Sequence, residues 1–436
     1  MISSKQLQDI LTKDDYQNII EPEWPDWETL NEMDVIPVEV EQRINQMLAE
    51  AEQAQQQSKS FCALAFHGRE YRIAPGFSGL TCASKSTHQQ LKYIQQELLQ
   101  GKQPVQCQQR CWEVEDKNIE SLRQIHNKTL DHLLDRSVLD LYQECTTRTE
   151  YPTYIYKIET SNLCNGTCVT CSGKFSTAWQ QLEKKNNQST IDYVKFDVTD
   201  DHLILDNESV NHAELFSIDY KNAKMINFLG GEPTLEKNNF RILENLISAG
   251  NTDCLVSFTT HGNFSLTDYQ IHLIKQFPNI QFNYSIDGIK SRFEYIRYPF
   301  KWDKLLENIA WSKENNIEIS ANITVSNLSI FYLNELTTWL TKEKINHSLS
   351  FAVNHKLITN RNVYSVTALS QKVKSLIIEK CQDDRIQRVL STHTDDDDIS
   401  YKLFLQDIVT QDRWKNIKID NYLPEFADII RNDLYK

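Results

Sequence analysis

Glycine is scarce in this sequence, 11 residues among 436, and proline is no more plentiful at 10. Collagen-like and proline-rich linker architectures are thereby excluded. Each glycine becomes informative, because positive φ or a close backbone approach is where a residue without a Cβ is needed. The sequence also lacks the run of about eighteen apolar residues that a membrane-spanning helix requires. Its start, MISSKQLQDILTKDD, has neither the basic opening nor the apolar stretch of a secretory signal. The expectation is a soluble, cytoplasmic protein with no membrane partner. Positive charge is in deficit too: 46 Lys and Arg stand against 60 Asp and Glu, a formal net charge of -14, with the run DDDD at 395–398. Binding to nucleic acid rests on neutralising phosphates, so nucleic acid is not indicated as a partner.

The length suits a main domain and a smaller one. Residues 1–60 read as a polar, acidic helical extension. Residues 61–150 form a cysteine-rich stretch: a hairpin over HGREYRIAPG and GFSGLTC, then helices at HQQLKYIQQELLQ, closed by Gly101, and at NIESLRQIHNKTLDHLLDRSVLDLYQ. Over 151–356 strand-like runs alternate with helical ones: YIYKIE, MINFL, CLVSFTT, IQFNYSID, IEISANITVS and HSLSFAVN. Such alternation predicts parallel βα units, an α/β sheet that is open or curled into a partial barrel. Within it, 173–222 is a polar insertion whose DYVKFDVTDDHLILDNES suits a hairpin, and residues 357–436 read as helices.

Gly166 and Gly173 flank a cysteine trio in CNGTCVTC, and Gly230, Gly231, Gly262 and Gly288 end strands. The ends of parallel strands are where ligands bind in α/β sheets. Ten cysteines in a chain of this length fall short of a secreted disulfide scaffold; clustered thiols in a reducing compartment are metal ligands or catalytic groups. Cys164, Cys168 and Cys171 offer three ligands on one loop. Structural zinc wants a fourth protein ligand, whereas an iron–sulfur cube can be held by three thiolates with one iron left open. Spacing alone leaves both alive.

The C-x3-C-x2-C spacing after the first strand of a βα series resembles the signature of the radical S-adenosylmethionine (SAM) enzymes. Gly230, Gly231, Glu232 and Pro233 in NFLGGEPTL resemble that family's GGEP motif, which implies that they hold the SAM amino group. SIDG resembles its ribose-binding strand end, implicating Ser285 and Asp287. TTHGN is similar to the family's TNG stretch, Arg297 stands where relatives place an arginine near the SAM carboxylate, and Asn322 is carried over from the fifth strand. The resemblance covers residues 150–355 and implies a partial (β/α)6 TIM-like barrel. A 4Fe-4S cluster on Cys164, Cys168 and Cys171 would cleave SAM reductively to a 5'-deoxyadenosyl radical, with the protein positioning one substrate C–H against it. One position departs: Thr170 stands where the family usually has an aromatic residue near the adenine.

Cys62, Cys82, Cys107 and Cys111 form a second group. By residue type they suit a closed zinc site. With Gly101, Pro104, Glu113, Ser121 and Arg123 they resemble the twitch module, a shortened SPASM domain, which implies an auxiliary iron–sulfur cluster. The pair Cys107-x3-Cys111 departs from the x2 spacing of that module. Cys145, Cys254 and Cys381 read as core residues, His67 and His261 as surface or hydrogen-bonding residues, and Tyr284, Tyr295 and Tyr298 as packing aromatics. The resulting expectation is an oxidoreductase-like maturase acting on a peptide, with flavodoxin or ferredoxin as reductant. The rivals are radical modification or isomerisation of a nucleotide, nucleic acid or small metabolite, and a non-catalytic zinc-stabilised binding protein.

Overall fold

Short runs of alternating apolar residues build one sheet whose strand order is β2-β1-β3-β4-β5-β6-β7-β8. The strands are β1 (Gly68–Tyr71), β2 (Ser78–Gly79), β3 (Ile155–Glu159), β4 (Met225–Leu229), β5 (Leu255–Thr260), β6 (Ile280–Ser285), β7 (Glu318–Val325) and β8 (Asn346–Phe351). All pairings from β1 through β3 to β8 are parallel, and β2 returns antiparallel on β1. The structure is a computed structural model that describes residues 24–33, 36–71, 78–79, 88–116, 120–186, 212–352, 357–358, 361–380, 384–391 and 393–434, with 13 and 16. The hairpin expected over DYVKFDVTDDHLILDNES lies outside the described residues, as does Cys82.

The chain divides into two compact units, Met1–Phe66 with Gln89–Tyr151, and His67–His88 with Pro152–Lys436. The first is helical, with Val38–Ser58, Leu122–Leu134 and Val138–Thr147. Ser121 and Ser137 cap two of these through reciprocal bonds with Gln124 and Asp140, which satisfies backbone N–H groups that the first turn leaves orphaned. Phe61 stacks on Phe66 and meets the edge of Tyr142 in its core. Arg123 is buried there, its guanidinium bonded to Glu115 at 2.6 Å and to the carbonyls of Lys59 and Phe61 at 2.9 Å.

The second unit holds the sheet. The six strand runs read after Tyr151 appear in place, alternating with helices Lys237–Ser248, Asp268–Ile274, Trp302–Glu314 and Leu333–Lys342. A seventh parallel strand was not foreseen: GREY joins the large sheet beside β3 instead of standing in a separate cysteine-rich module. Side chains alternate across the sheet. Ile226, Phe228, Val256, Phe258, Phe282, Tyr284, Ala321 and Ile323 are fully buried in one core. The intervening positions are polar and linked across strands: Asn283 Nδ2 donates to Ser257 Oγ at 2.6 Å, Ser320 Oγ donates to Asn283 Oδ1, and Ser348 Oγ donates to Asn322 Oδ1 at 2.8 Å. Parallel sheets ordinarily bury two apolar faces. A face of Ser, Thr and Asn is suited to contact water or a polar ligand.

The C-terminal region is helical, as expected. Gln371–Lys380, Asp395–Lys415 and Pro424–Leu434 contribute Val373, Ile377, Phe404, Ile408, Phe426 and Ile430 to the same core. The acidic run at 395–398 is the first turn of the middle helix, capped by Thr394, where negative charge meets the positive end of the helix dipole. Asp397 also takes the buried Lys374 ammonium at 3.0 Å. No helix among the described residues is long and apolar enough to cross a membrane.

Candidate functional site

The cysteine loop leaves β3 and is held almost entirely through its backbone. Thr167 N donates to Tyr298 O and Val169 N to Ile296 O, both at 2.8 Å. Trp179 Nε1 donates to Cys168 O at 3.0 Å and Ser176 Oγ to Gly166 O at 2.6 Å. Trp179 belongs to a helix, Thr177–Lys185, that the sequence reading left inside the polar insertion. From the next strand end, Gly231 N donates to Ser161 O at 3.1 Å and Glu232 N to Leu163 O at 2.8 Å. A Cβ on Gly231 would stand 2.4 Å from Leu163 O, and one on Gly230, at φ +111°, 2.6 Å from Ser161 O. The close approach that these glycines permit is therefore to the cysteine loop itself.

The two loops enclose a cavity of 380 Å³. Cys164, Cys168 and Cys171 line it together with Gly230, Gly231, Ser285 and Arg297. That volume lies in the range of small-molecule sites. Burial pushes the Cys164 and Cys168 thiols up; the other two thiols add to the effect at Cys164, while Arg297 and Lys415 oppose it at Cys168. Thiols placed like those of Cys164 and Cys168 stay protonated unless a positively charged centre draws them into coordination. Among the described residues no group of three Cys, His, Asp or Glu side chains is arranged to hold a metal ion. Three thiols on one loop beside open space match the donor set of an iron–sulfur cube with one iron left open.

Glu232, 1 % exposed, is engaged by the protein: it accepts from Thr234 Oγ1 at 2.6 Å, Thr260 Oγ1 at 2.8 Å and His261 N at 2.9 Å. Asp287 accepts from Arg297 Nε at 2.6 Å and Thr324 N at 2.7 Å. Burial works against the Arg297 charge, yet the bonded Asp287 carboxylate offsets it, and the Arg297 pKa stands above the ordinary arginine value. Asp287 thus fixes a permanent cation at the cavity wall. Pro233 is buried and its carbonyl takes Asn239 Nδ2 at 2.9 Å. Asn322 bonds Ser348 and is not on the cavity wall; its neighbour on the same strand face, Thr324, is.

Two wall residues, Thr324 and Phe175, were not singled out from the sequence, while Thr259 and His261 lie in the TTHGN stretch. His261 Nδ1 accepts from Asn263 N at 2.9 Å, which leaves the proton on Nε2 facing Asn165 Oδ1 at 3.0 Å and Glu232 Oε2 at 3.1 Å. Its ring stacks on Phe300 with centroids 3.7 Å apart. Burial, with Arg297 assisting, lowers its pKa against the pull of Glu232, so the imidazole is neutral. Thr170 is on the wall, as is Phe175, which supplies an aromatic surface that position 170 lacks. Tyr284, Tyr295 and Tyr298 bond Ser312, Asp412 and the Lys415 carbonyl and do not line the cavity.

The upstream cysteines fare differently. Cys62 and Cys107 are partly exposed and Cys111 is buried, all in the helical unit. Cys145 and Cys254 are core residues whose thiols burial pushes up to about 12.

No family model and no curated protein matches the chain. Solved structures are similar to parts of it: anSMEcpe with bound AdoMet, at 14% identity and TM-score 0.36 over 52% of this chain and 57% of that one. SuiB of Streptococcus suis is similar as well, at 14% and 0.32 over 58% and 50% when bound to S-adenosylmethionine. Bound to the precursor peptide SuiA it gives 13% and 0.37 over 67% and 62%. The chain spans less than two thirds of the length of each, and overlaps of this extent carry no functional weight.

Proposed function

We propose that the chain is a radical SAM enzyme. The observation that carries this reading is the single cavity in which three loop cysteines, a glycine pair, Ser285 and an Asp287-held Arg297 meet at the ends of consecutive parallel strands. Cys164, Cys168 and Cys171 would hold a 4Fe-4S cluster. Bound there, the cluster supplies one-electron reduction and S-adenosylmethionine the radical chemistry.

The protein's own contribution is placement. Arg297 presents a fixed cation for a carboxylate, Ser285 and Thr324 offer hydroxyls, and the Gly230–Gly231 backbone borders the cavity without side chains in the way. Glu232 keeps the 231–233 turn and the His261 turn in register. Phe175 supports adenine packing in place of an aromatic at 170. The polar sheet face favours a substrate rich in hydrogen-bonding groups, and we take this to be a peptide undergoing oxidative modification, with a flavodoxin or ferredoxin as electron donor. Cys62, Cys82, Cys107 and Cys111 are proposed to carry an auxiliary iron–sulfur cluster.

Anaerobic reconstitution followed by iron and sulfide assay and measurement of 5'-deoxyadenosine tests the reading. Iron–sulfur absorbance and SAM cleavage are expected. Stoichiometric zinc with no iron would instead support the zinc-stabilised binding protein.

A further inference from the structure

The turn after β5, in TTHGN, is fixed by the helix Trp302–Glu314 and the residue before it. Asn308, buried on that helix, donates Nδ2 to Gly262 O at 2.7 Å and to Phe264 O at 3.0 Å. Lys301 N donates to Asn263 Oδ1 at 2.7 Å. Gly262 has φ +78°, and a Cβ there would stand 2.3 Å from Leu305 Cδ1, so the turn is packed directly on the helix. From this base His261 reaches across to the cysteine loop. Its Nε2–H is shared between Asn165 Oδ1 and Glu232 Oε2, and its ring lies on Phe300. Phe300 in turn covers Gly166, where a Cβ would come within 2.6 Å of the Phe300 ring. Asn165 and Gly166 are thus gripped by one hydrogen bond and one aromatic face, both backed by His261.

The gripped segment carries a group that bears on a metal centre: Gly166 N donates to Cys164 Sγ at 3.4 Å. An N–H directed at a thiolate is a charge-assisted hydrogen bond, and hydrogen bonds to the sulfurs are one of the levers a protein has on an iron–sulfur centre. The rest of the loop is braced separately. Thr167 N and Val169 N donate to the Tyr298 and Ile296 carbonyls, and Val169 O accepts from Gln411 Nε2 at 3.0 Å, on the helix Asp395–Lys415. Ser176 Oγ also takes the Gly166 carbonyl, so the contribution of His261 is a single hydrogen bond's worth of restraint and its effect should be local.

Resting on the function proposed above, we infer that His261 is a positioning residue for the cysteine loop: by holding Asn165 and, through Phe300, Gly166, it keeps the Gly166 N–H on the sulfur of Cys164. The imidazole is neutral, with its proton on Nε2 because Nδ1 accepts from Asn263 N. Uncharged substitutions therefore leave the charge of the site unaltered.

The experiment follows amide hydrogen exchange at Gly166 and Val169 in metal-free wild type, Asn165→Ala, His261→Phe and His261→Gln. It then measures the rate of iron loss to a chelator after anaerobic reconstitution. Asn165 is exposed, so its replacement leaves the fold intact and removes only the acceptor. His261→Phe keeps a ring on Phe300 and removes the donor, whereas His261→Gln puts an amide N–H where Nε2 stands. Asn165→Ala and His261→Phe should each speed exchange at Gly166 about fivefold, the scale of one net hydrogen bond, and leave Val169 unchanged. His261→Gln should return Gly166 close to the wild-type rate. His261→Phe should also lose iron about fivefold faster than wild type. Unchanged exchange at Gly166, equal acceleration at Val169, a His261→Gln variant as loose as His261→Phe, or wild-type iron retention in His261→Phe overturns the inference. Wild type that takes up no iron overturns the functional reading instead, and the exchange measurement still decides the positioning role.

Discussion

The two groups of cysteines read much alike in the sequence, each with a short-spaced pair and a further thiol nearby, but the structure gives them different settings. Cys164, Cys168 and Cys171 sit on a loop bonded to the Gly231–Glu232 strand end, to Ile296 and Tyr298 and to the helix residue Trp179, and they border one cavity with a cation and hydroxyls. Cys62, Cys107 and Cys111 lie in a small helical unit organised around Arg123 and Glu115. Residue type and spacing identify possible ligands. It is the strand ends around the trio that border a cavity able to take a second molecule.

The largest effect should come from replacing Cys164, Cys168 and Cys171 together by alanine, which should abolish 5'-deoxyadenosine formation; full SAM cleavage in that variant would sink the mechanism. Replacing Cys62, Cys107 and Cys111 should lower iron content while leaving the iron of the trio, as read by iron assay and spectroscopy; unchanged iron would make the upstream group non-ligating. Arg123→Ala should destabilise the helical unit by about 3 kcal/mol or more, the scale for breaking a buried ion pair, measured by chemical denaturation. Gly231→Ala forces a Cβ to within 2.4 Å of Leu163 O, an overpacking worth about 1–3 kcal/mol. It should reduce cluster loading more than overall stability.

The smallest effect concerns pH. Burial raises the Asp397 pKa, but bonds from Lys374, Thr367 and Thr394 bring it below the ordinary value. A depressed carboxylate adds stability above about pH 4, near its unfolded pKa. That contribution is lost as pH falls through the folded value. Asp397→Asn should flatten this acid limb in hydrogen exchange of the C-terminal helix.

Much of the sheet was legible because strand and helix periods differ and each run is short and bounded; MINFL appears as β4 without a residue changed. Strand ends were legible for the same reason, and a cavity opens beside them. Less visible were roles created by distant partners. Glu232 and Asp287 could be named as site residues, but nothing nearby in sequence says that Thr260, His261 and Arg297 take up their oxygens. The sequence reads His261 as a surface or hydrogen-bonding residue; the hydrogen bonds are present, but its burial against Phe300 and Asn165 is not visible there. The Thr177–Lys185 helix was hidden by its polar face, though Ser176 before it carried the cap signal. GREY could be recognised as a strand, yet its pairing with β3 is separated from it by more than eighty residues.

The Val169 carbonyl is held by a side chain 242 residues further along the chain. During synthesis the cysteine loop thus leaves the ribosome long before its support exists. On the proposed function, a cluster delivered to the nascent chain before the helix Asp395–Lys415 docks would meet three thiols on an unbraced segment, so delivery belongs after that docking.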